Sequence, residues 1–267
     1  MRSLDKAINN VKRGGMAIPM PFKSWSDKSI SVRRGEVSMI AGPPGSGKST
    51  LALAIALRSG VPTLYTSADS HETTMAIRSL AMSTGQSLAM STGQTQSLME
   101  DAMVENPEWA TKMLEDNVSH IKWNFDASPT LKDLDEELEV YLETQGCYPE
   151  LVVIDNAVDV SFSDGDEFSS LRTLMKEVKQ WARETNAAIL VLHHTSESAQ
   201  GQPCPPRSAL HGKISQTPSL VVTISSELQG LMAACAVKNR YGPASPGGSD
   251  AVWLNYDPEC MQLTDAV

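Results

Sequence analysis

The stretch EVSMIAGPPGSGKSTLALAIALRSG, residues 36–60, constrains this chain more than any other. An apolar run leads into a glycine-rich turn, and an apolar helical pattern follows at once and stops at Gly60. A buried strand feeding a loop and then a helix is the opening unit of a parallel α/β sheet. The loop matches G-x-x-x-x-G-K-[ST] at Gly42, Gly47, Lys48 and Ser49. Such a loop wraps phosphates with backbone N–H groups, and the helix N-terminus behind it adds partial positive charge. A chance match in a chain of this length is on the order of 1%. Residues Gly42, Pro43, Pro44, Gly45, Ser46, Gly47, Lys48, Ser49 and Thr50 are therefore expected to bind a nucleotide. Lys48 would reach the β- and γ-phosphates, and the Ser49 hydroxyl would bind Mg²⁺. ATP and Mg²⁺ are the expected cofactors.

A second run, LVVIDN, places Asp155 after four apolar residues. A strand buried on both faces reads as such a run. Open α/β sheets place ligands at the C-terminal ends of their strands. A carboxylate there can hold Mg²⁺ through water, so Asp155 joins Ser49 as a metal residue.

The chain has 267 residues and a formal net charge of −10. That length suits one large domain, or one domain with a small appendage. An acidic total argues against a broad basic surface for nucleic acid, though not against a local basic loop. No apolar run approaches the roughly 20 residues that span a bilayer. The N-terminus MRSLDKAINNVKRGG lacks the apolar core of a signal peptide. No membrane contact and a cytoplasmic location are expected. The four cysteines, Cys147, Cys204, Cys235 and Cys260, form no C-x-x-C pair, and free thiols are expected.

Along the chain, Leu4, Ile8 and Val11 give residues 1–15 a helical period, ended by Gly14-Gly15. Residues 17–29 are proline-rich and read as irregular. Residues 1–29 thus form an N-terminal helix and linker, and 30–267 the main domain. Strands are expected at 37–41, 61–67, 120–126, 151–155 and 187–194. Helices are expected from Glu72, over 107–117, from Ser128 or Thr130 to Gly146, and through DEFSSLRTLMKEVKQWARETN. LAMSTGQSLAMSTGQT, residues 80–95, is a tandem duplication, read as a helix end and a duplicated loop. Residues 195–218 read as a loop. Three strands close the chain, SLVVTISS, LMAACAVK and AVWLNYD, the last two as a hairpin. The pattern predicts an α/β fold, a mostly parallel sheet flanked by helices with antiparallel C-terminal strands.

The order of these pieces resembles the RecA-like hexameric replicative helicases, of the DnaB kind and the plasmid RepA kind, over residues 30–258. RRGEVSMIAGPPGSGKST resembles their P-loop strand, and YTSADSHETTMAIR their next motif, with Asp69 and Arg78 at the family's spacing. The resemblance implies that Asp69 activates water, although the family normally has Glu there; Glu72 is the alternative base. AAILVLHHTSES is similar to the strand ending in a γ-phosphate sensor, which falls on His194, beside His193. AVKNRYGPA resembles a segment that reaches a neighbouring subunit's ATP site, and assigns Lys238 and Arg240 a catalytic role in trans. These two cations stand at alternate positions, on one face of a strand. HGKISQTPSLVVTI is similar to the region carrying a DNA contact. Ala209 stands where the family has Arg, Gly212 is retained, and Arg207, Lys213 and His211 are the available DNA contacts. Cations and N–H groups track a backbone without reading sequence.

The resemblance implies a RecA-like P-loop ATPase core in a homo-oligomer, a hexamer, acting on single-stranded DNA with primase or other replication proteins as partners. The function so implied is an ATP-dependent, ring-forming DNA helicase consisting of the motor domain. Two alternatives stay open: a RecA-like recombinase, and a nucleotide-gated assembly or loader ATPase with slow hydrolysis.

Overall fold

A computed structural model describes residues 15–87, 95–162, 167–195, 202–226 and 228–266. Residues 1–14 of the helix expected over 1–15, and residues 88–94 of the second copy of the duplication, lie outside these residues. Among the described residues, nine strands form one sheet in the order β3-β2-β4-β5-β1-β6-β7-β8-β9. They are β1 (Val37–Gly42), β2 (Thr63–Ser67), β3 (Ile121–Asn124), β4 (Leu151–Asp155), β5 (Ala188–His194), β6 (Leu220–Ser225), β7 (Leu231–Asn239), β8 (Val252–Asp257) and β9 (Gln262–Asp265). Pairings from β3 through β6 are parallel, and those from β6 to β9 are antiparallel. The expected mixed sheet is present, with β7 and β8 paired as anticipated.

Alternation along the central strand explains the two-sided core. Ile40 packs with Leu51 and Ile55 of α2 (Lys48–Ser59) on one face. Met39 packs with Leu174 and Val178 of α7 (Glu167–Thr185) on the other. Successive strand side chains point to opposite faces, so a strand covered by helices on both must be apolar throughout. β1, β2 and β4 are buried at every position. The α6 helix (Leu131–Gln145) also packs on the α7 side, through Leu134 and Leu138. Its start is a reciprocal cap: Thr130 Oγ1 accepts the Asp133 N–H, and Asp133 accepts the Thr130 N–H at 2.8 Å. Thr130, not Ser128, is therefore the cap.

Several elements depart from the sequence reading. Residues 17–29 carry a short helix, α1 (Lys23–Asp27), with Ile18, Phe22 and Trp25 fully buried. Asp265 ties it down by accepting the Lys23 and Ser24 N–H groups at 2.9 and 3.1 Å. Proline spacing suggests irregular backbone; the aromatic pair is what anchors it to the core. The helix α3 (Glu72–Ser87) runs through the whole first copy of the duplication. Two further helices follow, α4 (Gln96–Glu105) and α5 (Pro107–Val118), of which only the second has a clear signal in the sequence. Strand β9 has none, being a four-residue edge with mixed burial. The 202–218 region holds 3-10 turns at Arg207–Ala209 and His211–Gln216 rather than plain loop.

Candidate active site

Four of the parallel strands end on one edge of the sheet, and their last residues meet there. Gly42 closes β1 beside His194 of β5. Ser67 of β2 lies beside Asp155 of β4. These ends and the following turns line a cleft of about 360 Å³, with Lys48, Ser49, Asp69, Arg78, Asp155, Asn156 and His194 on its walls. This is the carboxyl edge where α/β sheets hold ligands.

The glycine loop has the geometry its sequence demands. Gly45 and Gly47 take φ of +74° and +85°, the left-handed region that glycine enters without strain. A Cβ on Gly47 would also lie 2.6 Å from Met232 Cε and 3.0 Å from the Tyr256 hydroxyl. The turn delivers the chain into α2, whose first residue is Lys48. Lys48 Nζ donates to the Pro43 carbonyl at 2.9 Å and the Gly42 carbonyl at 3.2 Å, and lies 3.3 Å from His194 Nδ1. Burial lowers its pKa, against the opposing pull of Asp155 and Asp69. The amine thus rests on neutral acceptors, and charged oxygens would be stronger ones.

Asp155 is buried at the end of β4. The Tyr65 hydroxyl donates to its Oδ2 at 3.1 Å, and the Ser49 hydroxyl also bonds it. Burial raises the carboxyl pKa, while those two donors pull it back. Among the described residues no group of three or more His, Cys, Asp or Glu forms a metal cluster. One hydroxyl and one carboxylate bonded to each other do fit Mg²⁺, which completes its shell with water and phosphate oxygens.

Asp69 and Glu72 are separated. Asp69 stands on the cleft wall with Ser70, whose Oγ accepts from Arg78 Nη1 at 3.2 Å. Glu72 instead borders a different, apolar cleft lined by Met75, Leu114, Trp123 and Phe125. Both carboxylates are exposed, so only the geometry distinguishes them. His193 and His194 diverge as adjacent strand residues must: His193 is buried, while His194 lines the cleft. Burial and the nearby Lys48 lower the His194 pKa; Asp159 and Asp69 oppose them.

Lys238 and Arg240 are not in this cleft. The Arg240 N–H donates to Ser219 O, and the Ser219 N–H to Val37 O, which puts Arg240 level with the start of β1; Lys238 pairs with Val221, which is level with Met39. Along that strand Gly42 lies five residues beyond the level of Arg240 and three beyond that of Lys238, about 17 and about 10 Å away. Lys238 Nζ donates to the carbonyls of Ser215 and Gln216 at 2.9 and 2.8 Å. Arg240 pairs with Glu36 at 3.7 Å, beyond the end of β7. Each of the two has its own partner within the chain. Arg207 Nε donates to Ser215 Oγ at 3.2 Å, and Gly212 and Lys213 lie in the 3-10 turn His211–Gln216.

Sequence reasoning overlooks Asn156, Gln96, Tyr256, Pro258 and Met261, which also line the cleft. Asn156 has a signal, adjoining Asp155. The others come from α4, from β8 and from the β8–β9 turn, far away in sequence, and have none.

A parallel sheet with its phosphate loop after a central strand, and Asp155 and His194 on neighbouring strand ends, defines a P-loop ATPase with a RecA-like core. The chain belongs to the AAA domain family, whose pattern matches residues 17–200. It is 33% identical over 263 residues to the Gene 65 protein of Mycobacterium phage L5, covering 95% of each. A solved structure of an ATPase domain superposes with a TM-score of 0.82 at 15% identity, over 100% of both chains. A DnaB-like replicative helicase, solved in a study of its interactions with primase, superposes at 0.78 with 14% identity, over 100% of this chain and 68% of that one. The fold is that of helicase ATPase domains, as the order of motifs implied. No described helix is long and apolar enough to cross a membrane.

Proposed function

We propose that this chain is a ring-forming, ATP-dependent DNA motor that couples hydrolysis to movement along single-stranded DNA during replication. The observation that carries the reading is the cleft in which Lys48, Ser49, Asp69, Asp155 and His194 converge. Mg²⁺ bound with ATP would supply neutralisation of the phosphate charge. Ser49 and Asp155 would hold that ion, and the loop N–H groups from Gly45 to Thr50 the phosphates. Lys48 leaves its carbonyl partners for the β- and γ-phosphates. Asp69 orients the attacking water, and His194 contacts the γ-phosphate.

Lys238 and Arg240 lie too far from their own cleft to serve it. Assembly as a homo-oligomer, a hexamer in this reading, would bring them to a neighbour's cleft, where a cation stabilises charge on the transferred phosphoryl group. The division into residues 1–29 and the ATPase domain 30–267 belongs to the same proposal, as do DNA contacts by Arg207, Gly212 and Lys213 and a primase partner.

One observation favours a second reading, a slow nucleotide-gated loader or assembly switch: Lys238 is already bonded within its own chain. Steady-state hydrolysis with Mg²⁺, with and without single-stranded DNA, separates the two. A motor is stimulated by DNA; a loader turns over slowly and unchanged. Imaging of the assembled protein then distinguishes the ring from a recombinase-like filament.

A further inference from the structure

Both ring nitrogens of His194 face hydrogen-bond donors. Nδ1 lies 3.3 Å from Lys48 Nζ, and Nε2 lies 3.5 Å from Asn156 Nδ2. The Asn156 amide is oriented from its other end, where Oδ1 accepts the Val158 N–H at 3.1 Å. That bond caps the 3-10 turn Ala157–Asp159 and leaves the NH₂ group for the ring. A neutral imidazole has one lone pair and one N–H. It can accept from Lys48 or from Asn156, but not from both. An imidazolium would set two N–H groups against two donors, one of them a cation. The ring is therefore neutral with two competing tautomers, in keeping with the direction of its pKa shift.

The charged donor is the stronger of the two. While Lys48 touches the ring, Nδ1 accepts and the proton sits on Nε2. Among the described residues the other hydrogen bonds of Lys48 go to two backbone carbonyls, so a ligand with charged oxygens draws it away. Asn156 is then the donor left facing the ring. Nε2 becomes the acceptor, and the proton sits on Nδ1, facing the place that Lys48 has left. We propose that Asn156 is a positioning residue that makes His194 a tautomer switch, with the proton on Nε2 while Lys48 touches the ring and on Nδ1 once Lys48 withdraws. The proton leaves one nitrogen to water and returns from water to the other, so the ring charge does not change. The switch presents an N–H donor toward the phosphate site only after Lys48 has moved. Its use in hydrolysis rests on the function proposed above; the two-donor geometry does not.

The test is long-range ¹H–¹⁵N NMR of the histidine rings, which reads the tautomer without any turnover. His194→Gln assigns the His194 signals among the five histidines. At mildly alkaline pH without nucleotide, the wild-type ring should be Nε2–H. Lys48→Met should convert it to Nδ1–H. Adding Asn156→Asp to Lys48→Met should return it to Nε2–H, because a carboxylate accepts from Nε2 and still caps Val158. A residue that only caps the turn would tolerate Asp without any change at the ring. An unchanged tautomer in Lys48→Met, or a double variant that stays Nδ1–H, would overturn the proposal. In wild type, the Mg²⁺ complex of a non-hydrolysable ATP analogue should produce the same conversion as Lys48→Met. If Lys48→Met converts the ring and the analogue does not, the switch stands and the phosphate reading of the cleft falls.

Discussion

The two edges of the sheet hold their cations differently. At the carboxyl edge, Lys48 rests on the neutral carbonyls of Gly42 and Pro43 and beside the His194 ring. At the opposite edge, Arg240 faces the carboxylate of Glu36, and Lys238 bridges two carbonyls of the 3-10 turn. The first arrangement is one that, in the proposed function, a phosphate would displace. The second ties the end of β7 to the segment expected to touch DNA, and must be released before it can serve another chain. One edge is ready for a ligand; the other is a joint between β7 and the 207–216 region.

The largest effects should come from removing one cation on each edge. Lys48→Ala and Arg240→Ala should each reduce ATP hydrolysis on the order of 10³-fold. Mixing the two inactive variants should restore part of the activity, because each supplies the group the other lacks at a shared site. Turnover of the mixture that stays at the level of the separate variants would break the comparison and make Arg240 a structural ion pair.

A smaller effect divides the two carboxylates after β2. Asp69→Asn should lower kcat by about 10²-fold with little change in KM, as loss of a group acting mainly in the transition state does. Glu72→Gln should change kcat by less than about twofold, because its side chain borders the apolar cleft. The reverse pattern in steady-state kinetics would move the base to Glu72.

The smallest effect concerns the joint itself. Burial first, then Arg207, Arg240 and Lys179, push the Lys238 amine down to about 8. A lysine whose pKa is lower folded than unfolded is held less favourably when charged. Its contribution to stability should therefore rise as pH climbs from about 8 toward the ordinary lysine range near 10.4. Lys238 should also acylate ahead of the other lysines at pH 8, measured by mass spectrometry of brief labelling. Labelling no faster than that of exposed Lys132 would remove the argument that it is a strained, half-buried cation.

Most of the carboxyl edge is legible in the chain's local patterns. The loop G-P-P-G-S-G-K-S carries its own backbone requirement, and runs such as LVVID announce strands buried on both faces. Spacing and hydropathy therefore suffice to locate Lys48, Ser49 and Asp155, and His194 follows from the order of motifs. The helix α1 escapes such a reading because Pro19 and Pro21 outweigh a five-residue element that depends on Phe22 and Trp25 finding the core. Strand β9 escapes it because an edge strand covered on one side shows no apolar run.

The βα phosphate loop, the parallel core and the identity of the groups at the strand ends are encoded locally, each by residues a few positions apart. Long-range packing alone selects which carboxylate after β2 enters the cleft, and brings Gln96 and Tyr256 to share it. It also places Lys238 and Arg240 at the far edge with separate partners. These outcomes depend on strand order and register. A sheet that sets β1 between β5 and β6 brings together side chains up to about 200 residues apart, and no local pattern of residues encodes that meeting.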